Sequence, residues 1–297
     1  MSAGGRVLYR GFATQAEIDA EYNVGALRPD WAELELQIAE RSAELRRRHA
    51  PDRLGLRFGP TCAERLDLFC ATAPAPRPVL VFIHGGYWRS GTAEEWSLLA
   101  AGPLAHGIDV AITNYALAPA VAVDEITRQS RAALAWVHAN ASGWGGDPDR
   151  LYVSGHSAGG QQTAMVLATD WVGDYGLPAD LVKGGVPLSG IYDMRPLAYS
   201  YLAPALQLSR RTIETQSPLL SEAEAGTAAP PRIVAWGGGE TEEFRRQSRA
   251  YIEHCGAHGI VARPLELGRD DHFDAVLQLA EADSELTRTI VELVGGG

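Results

Sequence analysis

One serine in the chain stands where a nucleophile would be built. Residues 151–153 read as a strand, Gly155-His156-Ser157-Ala158-Gly159 is a G-x-S-x-G, and residues 161–170 read as a helix. A strand that turns sharply into a helix holds the residue at the tip in a strained backbone, and small neighbours on both sides give it room. The hydroxyl at that tip points past the sheet edge, where it can attack an acyl carbon. A serine alone is a weak nucleophile, so the chemistry requires a histidine to take its proton and a carboxylate to orient that histidine. For a nucleophile on this kind of turn the acid and then the histidine follow in the chain. That order leaves His254, His258 and His272 of the eight histidines. The first two lie one turn apart in a helical stretch running on from Glu243 and read as surface residues. His272 lies in the polar loop Gly268-Arg269-Asp270-Asp271-His272-Phe273, after the apolar run 261–265 and before the last helix, where a base belongs.

The acid is expected on the loop after the preceding strand. Residues 233–236 run straight into Gly237-Gly238-Gly239-Glu240-Thr241-Glu242, so Glu240 is the first carboxylate past the strand and Glu242 its competitor. Asp271 adjoins His272 and reads as a loop-structuring residue, because neighbours in sequence rarely bring a carboxylate to the far ring nitrogen. A tetrahedral acyl intermediate also needs donors for its oxyanion. The strand 79–83 ends in His84-Gly85-Gly86-Tyr87-Trp88, where two glycines let backbone N–H groups turn inward. With the Ala158 N–H, Gly85 and Gly86 form the expected oxyanion hole. His84 precedes the nucleophile and would duplicate His272, so it reads as a brace for this loop.

These residues need a scaffold. Short apolar runs without alternation at 79–83, 110–112, 151–153, 184–188, 233–236 and 261–265 suit strands buried on both faces. Helical patterns such as 125–138 lie between them, with glycine or proline at their ends. The alternation predicts an α/β fold with a mostly parallel sheet and helices on both faces. Residues 54–58 and 65–69 alternate like a half-buried hairpin. The first fifty residues read as a helical extension, with Thr14 and Glu17 as a capping box and Arg46, Arg47, Arg48 and His49 closing a helix that carries Trp31, Leu34, Ile38 and Leu45. Residues 191–231 are too long for a simple crossover and read as a cap or lid after the sixth strand.

Composition narrows the partners. The 297 residues suit one domain spanning 1–297, and 46% hydrophobic with 21% charged residues is the mix of a chain that buries a core. Lys and Arg total 26 against 37 Asp and Glu, a net charge of -11, which disfavours nucleic acid and anionic membranes. No run is long enough to span a bilayer, and Met1 to Phe12 has no apolar leader. Cys62, Cys70 and Cys255 are odd in number with no C-x-x-C, so neither a disulfide framework nor a metal site is signalled, and a cytoplasmic protein is expected. The expected partner is a small-molecule substrate, with a homodimer left open, and no metal or organic cofactor is expected.

The chain resembles the α/β-hydrolase superfamily and, within it, the kynurenine formamidase (arylformamidase) group, which carries His-Gly-Gly-x-Trp where the hormone-sensitive-lipase group carries a third glycine. The resemblance runs along nearly the whole chain, through Glu21-Tyr22-Asn23, His84 to Trp88, Asn114-Tyr115-Ala116-Leu117-Ala118-Pro119, Gly155 to Gly160, Ser189-Gly190-Ile191-Tyr192-Asp193 and Glu243-Phe244-x-Arg246-Gln247-Ser248. Those formamidases carry Asp at the acid position, where this chain has Glu240, and often His after the elbow's Gly-Gly, where it has Gln161. The resemblance implies a serine hydrolase that releases a small acyl group, such as formyl from N-formyl-kynurenine, through Ser157, His272 and Glu240. It further implies an aryl pocket, for which Tyr87, Trp88 and Tyr192 are the expected walls, and a partner for a substrate carboxylate, for which Arg89 is the candidate. A carboxylesterase for short-chain or aryl esters would use the same catalytic residues, and a catalytically dead binder would have lost one of them.

Overall fold

The structure, a computed structural model, describes residues 7–50, 53–221 and 229–296. The apolar runs become β1 (Leu56–Arg57), β2 (Arg65–Phe69), β3 (Arg77–Ile83), β4 (Asp109–Thr113), β5 (Gly146–His156), β6 (Val182–Leu188), β7 (Arg232–Gly237) and β8 (Ala262–Leu267). They lie in the order β1-β2-β4-β3-β5-β6-β7-β8. β1 and β2 form the expected hairpin, β2 runs antiparallel to β4, and every other pair is parallel. The lack of alternation has a direct cause. Val79, Val81 and Ile83 of β3 enter one core while Leu80 and Phe82 enter the core on the opposite face. Each such side chain contributes about 1.5–3 kcal/mol by leaving water, so strands sandwiched by helices are apolar throughout.

The helices are α1 (Gln15–Tyr22), α2 (Trp31–Arg48), α3 (Ala101–Ala105), α4 (Val123–Asn140), α5 (Ala158–Leu167), α6 (Trp171–Tyr175), α7 (Ala203–Leu206), α8 (Arg210–Gln216), α9 (Glu242–Ala257), α10 (His272–Leu277) and α11 (Glu285–Gly295). The Thr14 and Glu17 capping box opens α1, and α2 ends on Arg46, Arg47 and Arg48 with His49 as its cap. There Arg46 also pairs with the buried Asp67 of β2. None of the described helices is long and apolar enough to cross a membrane.

α5 begins three residues before the position read from sequence. Its first turn contains Gly159 and Gly160, which propensity counts against a helix. A Cβ at Gly159 would lie 2.0 Å from the Ile83 carbonyl oxygen, and one at Gly160 would lie 2.6 Å from that of Leu188. The helix start is wedged between the ends of β3 and β6, and packing outweighs propensity there. The segment after β6 carries a 3₁₀ turn (Arg195–Tyr199), α7 and α8, and it is anchored on α4 and α5 where the Gln216 side chain accepts from Thr127 Oγ1 and its carbonyl accepts from Gln161 Nε2. Residues 222–228 of the expected cap lie outside the described residues.

Candidate active site

Ser157 sits between β5 and α5 with φ 58° and ψ -116°, a strained conformation for a residue with a side chain. It is held by its N–H to the Leu188 carbonyl (2.9 Å) and by its own carbonyl, which accepts from Gln161 N (3.1 Å). Gly155 is obligatory, because a Cβ there would come within 2.4 Å of the Gly159 oxygen. Ser157 Oγ makes no hydrogen bond to any described residue and faces a cavity that His272 also lines.

His272 opens α10, and Asp271 caps that helix by accepting from the N–H groups of Phe273 and Asp274, both at 2.8 Å. Asp271 also pairs with Arg28 (2.8 Å), so it structures the loop as its position suggested. Across from His272, β7 runs into Gly237-Gly238-Gly239, where a Cβ would meet carbonyls of residues 268–270 at 2.0–2.4 Å. Three bare glycines let the two loops touch, and the contact delivers Glu240 to His272, with Nδ1 to Oε1 at 2.7 Å. Both side chains are buried, and the His272 ring packs 4.4 Å from Phe244 and from His156. Burial pushes the His272 pKa well down and the Glu240 pKa up, since low polarity disfavours each charged form. His272 is thereby held neutral and able to accept a proton. Glu242 is exposed and pairs with Arg245 and Arg249, away from His272. His254 is half-buried against Tyr251, and His258 is exposed, neither of them at the cavity of Ser157.

The loop after β3 departs from ordinary backbone at three consecutive residues, with φ 111° at Gly86, 50° at Tyr87 and 56° at Trp88. At Gly86 a Cβ would lie 2.1 Å from the Ser90 carbonyl oxygen, and at Gly85 it would lie 3.2 Å from Ser157 Cβ. The peptide therefore passes directly against the nucleophile, and the N–H groups of Gly86 and Ala158 donate to no described residue. His84 is fully buried, stacks on Tyr115 (4.3 Å) and bonds through Nδ1 to its neighbour's carbonyl (2.7 Å), which makes it a brace of this loop.

The expected aryl walls fare differently. Tyr87 lines the cavity, with its hydroxyl donating to the Tyr22 carbonyl. Trp88 does not: it is fully buried, donating Nε1–H to Gln161 Oε1 (3.1 Å), because the left-handed turn at Tyr87 and Trp88 drives its indole into the core. Gln161 thus joins the loop to the Gln216 carbonyl. Tyr192 is also no wall. It stacks on Tyr251 (4.3 Å) inside the core and donates to the Pro187 carbonyl. Arg89 is exposed and does not line the cavity, with its guanidinium 5.7 Å over the ring of Tyr201, which does.

The cavity over Ser157 measures about 330 Å³, and sequence reasoning missed much of its wall. Asn23, Val24, Gly25, Trp31 and Glu35 come from the N-terminal segment, Trp96 from the loop before α3, Tyr201 from the insertion after β6, and Phe273 from α10. Trp31 packs against Phe273 with ring centroids 4.0 Å apart and the planes tilted by 34°. One signal was available: Glu21-Tyr22-Asn23 stood out as a motif, and Tyr22 is buried against Glu243 and Gln247 on α9. A second, smaller cavity of about 50 Å³, lined by Trp171, Arg232, Tyr251 and Cys255 among others, reaches none of these groups.

Residues 66–172 match the BD-FAE family. A kynurenine formamidase of Danio rerio is 30% identical over 241 residues, covering 80% of each chain. The carboxylesterase NlhH of Mycobacterium tuberculosis is 29% identical over 204 residues, 62% of each chain. Among solved structures, a Silicibacter protein described as a thioesterase superposes with a TM-score of 0.80 at 28% identity, covering 92% of this chain and 98% of that one. A Pyrobaculum calidifontis esterase superposes with a TM-score of 0.69 at 17% identity, covering 95% and 98%. At 30% identity over four fifths of each chain, and with an eight-stranded, mostly parallel sheet shared with solved esterase-like structures, the chain belongs to the kynurenine formamidase family of α/β-hydrolases and is a hydrolase.

Proposed function

We propose that this hydrolase is an arylformamidase that removes formyl from an aromatic amine such as N-formyl-kynurenine, with Ser157, His272 and Glu240 as its triad. The reading is carried by one observation, the buried 2.7 Å contact of His272 Nδ1 with Glu240 Oε1 beside a strained Ser157 whose hydroxyl is free. Ser157 Oγ attacks the formyl carbon while its proton passes to His272 Nε2, and Glu240 stabilises the imidazolium that forms. The oxyanion is received by the N–H groups of Gly86 and Ala158, with Gly85 holding the loop against the serine. Collapse breaks the C–N bond as His272 returns the proton to the departing arylamine. Water then attacks the formyl ester, giving a proton to His272, which passes it to Ser157 Oγ as the ester C–O bond breaks and formate leaves.

The aryl group lies against Tyr87, Trp31 and Phe273, in a cavity at the low end of the roughly 300–1,000 Å³ usual for small-molecule sites. Arg89, held over the ring of the cavity residue Tyr201, meets a substrate carboxylate. A carboxylesterase would use the same groups, and the similarity to NlhH favours that second reading. A panel of N-formyl-kynurenine with p-nitrophenyl acetate, butyrate and octanoate decides between them by kcat/KM. The formamide is expected to lead, with esters falling off as the acyl chain lengthens. Octanoate as the best substrate with an inert formamide establishes the esterase in its place.

A further inference from the structure

β6 ends at Leu188, opposite Ala235 of β7, and the next residue, Ser189, donates its N–H to the Ala235 carbonyl (2.8 Å). Glu240 follows β7 at this same end of the sheet. Ser189 is fully buried and has φ 49°, a backbone region that favours glycine. A glycine would adopt that turn without strain, so the side chain needs a reason to be there. Ser189 Oγ is buried with no hydrogen-bond partner. Glu240 Oε2, the carboxylate oxygen turned away from His272, is also buried and has none. A buried donor and a buried acceptor left without partners are each expensive. Ser189 is also the group that does most to hold the Glu240 carboxyl down against burial, ahead of the Gly237 N–H and Arg245, while Asp271 pushes it up. Tyr87 and Tyr192 are the other titratable groups near it.

We propose that Ser189 is a positioning residue whose hydroxyl turns to donate to Glu240 Oε2, fixing the carboxylate so that Oε1 stays on His272 Nδ1. The inference rests on the triad reading above. A glutamate has one more rotatable bond than an aspartate, and a second anchor removes the freedom which that bond adds. The motif Ser189-Gly190 thereby acquires a role that the strand alone does not give it.

The test is Ser189→Gly, which removes the hydroxyl and relaxes the backbone, so the fold is kept. Ser189→Cys serves as a second variant that keeps the shape and leaves only a weak donor. With p-nitrophenyl acetate both are expected to lose about ten- to a hundredfold in kcat, the worth of a hydrogen bond to a charged group, with little change in KM. The acid limb of kcat/KM should move to higher pH, because the deprotonated His272–Glu240 pair loses a donor that stabilises it. In a Glu240→Gln background, Ser189→Gly should cost nothing further. Wild-type kcat and an unmoved acid limb in folded Ser189→Gly would overturn the proposal, as would an equal loss in the Glu240→Gln background. If Glu240→Gln alone keeps full kcat, the triad reading itself fails; if it is crippled while Ser189→Gly is normal, only the role of Ser189 is lost.

Discussion

Replacing Glu240 by Gln tests the acid assignment at a single atom. The carboxylate oxygen lies 2.7 Å from His272 Nδ1 with both side chains buried, so when His272 takes the serine proton, a full negative charge faces the new positive one. At an effective dielectric constant of about 20 that attraction is roughly 6 kcal/mol. A neutral amide forfeits most of it and can turn its NH₂ toward Nδ1, which imposes the wrong tautomer. At about 1.4 kcal/mol per decade, the loss corresponds to about 10⁴ in kcat. Glu242→Gln is the control. Its side chain is 60% exposed and paired only with Arg245 and Arg249, contacts worth about 0.2–1 kcal/mol to stability and nothing to the imidazole, so kcat should stay within about twofold. Steady-state turnover of p-nitrophenyl acetate and of an aryl formamide, with circular dichroism to confirm folding, measures both. A Glu242→Gln loss exceeding that of Glu240→Gln would refute the electrostatic reasoning and move the acid to residue 242.

Ser157→Ala should lower kcat by about 10⁶ with folding intact, and residual activity above a few per cent would remove Ser157 from the mechanism. Stability should fall below about pH 6.5, because burial pushes His84 down to about 4 and His156 well below its ordinary value, so the unfolded chain binds protons that the folded one refuses. His84 alone should cost about 1.4 kcal/mol at pH 5.5 and His156 adds to it in the same direction, read as a lower midpoint in urea, with His272 omitted because Glu240 is shifted the opposite way. A midpoint unchanged between pH 7.5 and 5.5 would contradict that burial. Trp31→Ala should raise KM for aryl formamides about two- to tenfold by removing an aromatic wall, and an unchanged KM would place the aryl group elsewhere. Arg89→Ala should reduce any preference for a substrate carboxylate less than about fivefold, because the guanidinium is exposed and screened, and a hundredfold effect would mean that substrate desolvates it.

The candidate triad is legible in the sequence because backbone geometry dictates sequence at each of its residues. Ser157 needs Gly155 and Gly159 within van der Waals reach, Glu240 needs Gly237 to Gly239, and the loop before Tyr87 needs Gly85 and Gly86. Each requirement leaves a written trace next to the functional residue. The strands were legible for a similar reason, since a strand packed on both faces has no polar positions to interrupt it. The substrate walls left no such trace. Trp88 and Tyr192 have the right residue type and the right neighbourhood in the chain, but both side chains are buried in the core, Trp88 after a left-handed turn of a kind no propensity scale records. Trp31, by contrast, lies in a helix whose apolar spacing reads as ordinary packing, and only its contact with Phe273 brings it to the site.

That contact belongs to a larger arrangement in the N-terminal segment. Glu21 accepts through its carboxylate from the first turn of α9 at Glu243 N (2.9 Å), and its carbonyl accepts from Thr241 Oγ1 (2.9 Å), directly beside Glu240. Arg28 grips Asp271 (2.8 Å) and Asp274 (2.6 Å), the residues around His272. Between those two anchors the chain supplies Asn23, Val24 and Gly25 to the cavity, and just beyond them it supplies Trp31. The segment that shapes the substrate side is thus the one that clasps both loops of the His–Glu pair. The loops bearing Glu240 and His272 touch through bare glycines and are joined by the Gly239 N–H, which donates to the Asp270 carbonyl (3.0 Å). The clasp braces that joint from outside, so changes that loosen the extension should reach the chemistry as well as the fit of the substrate.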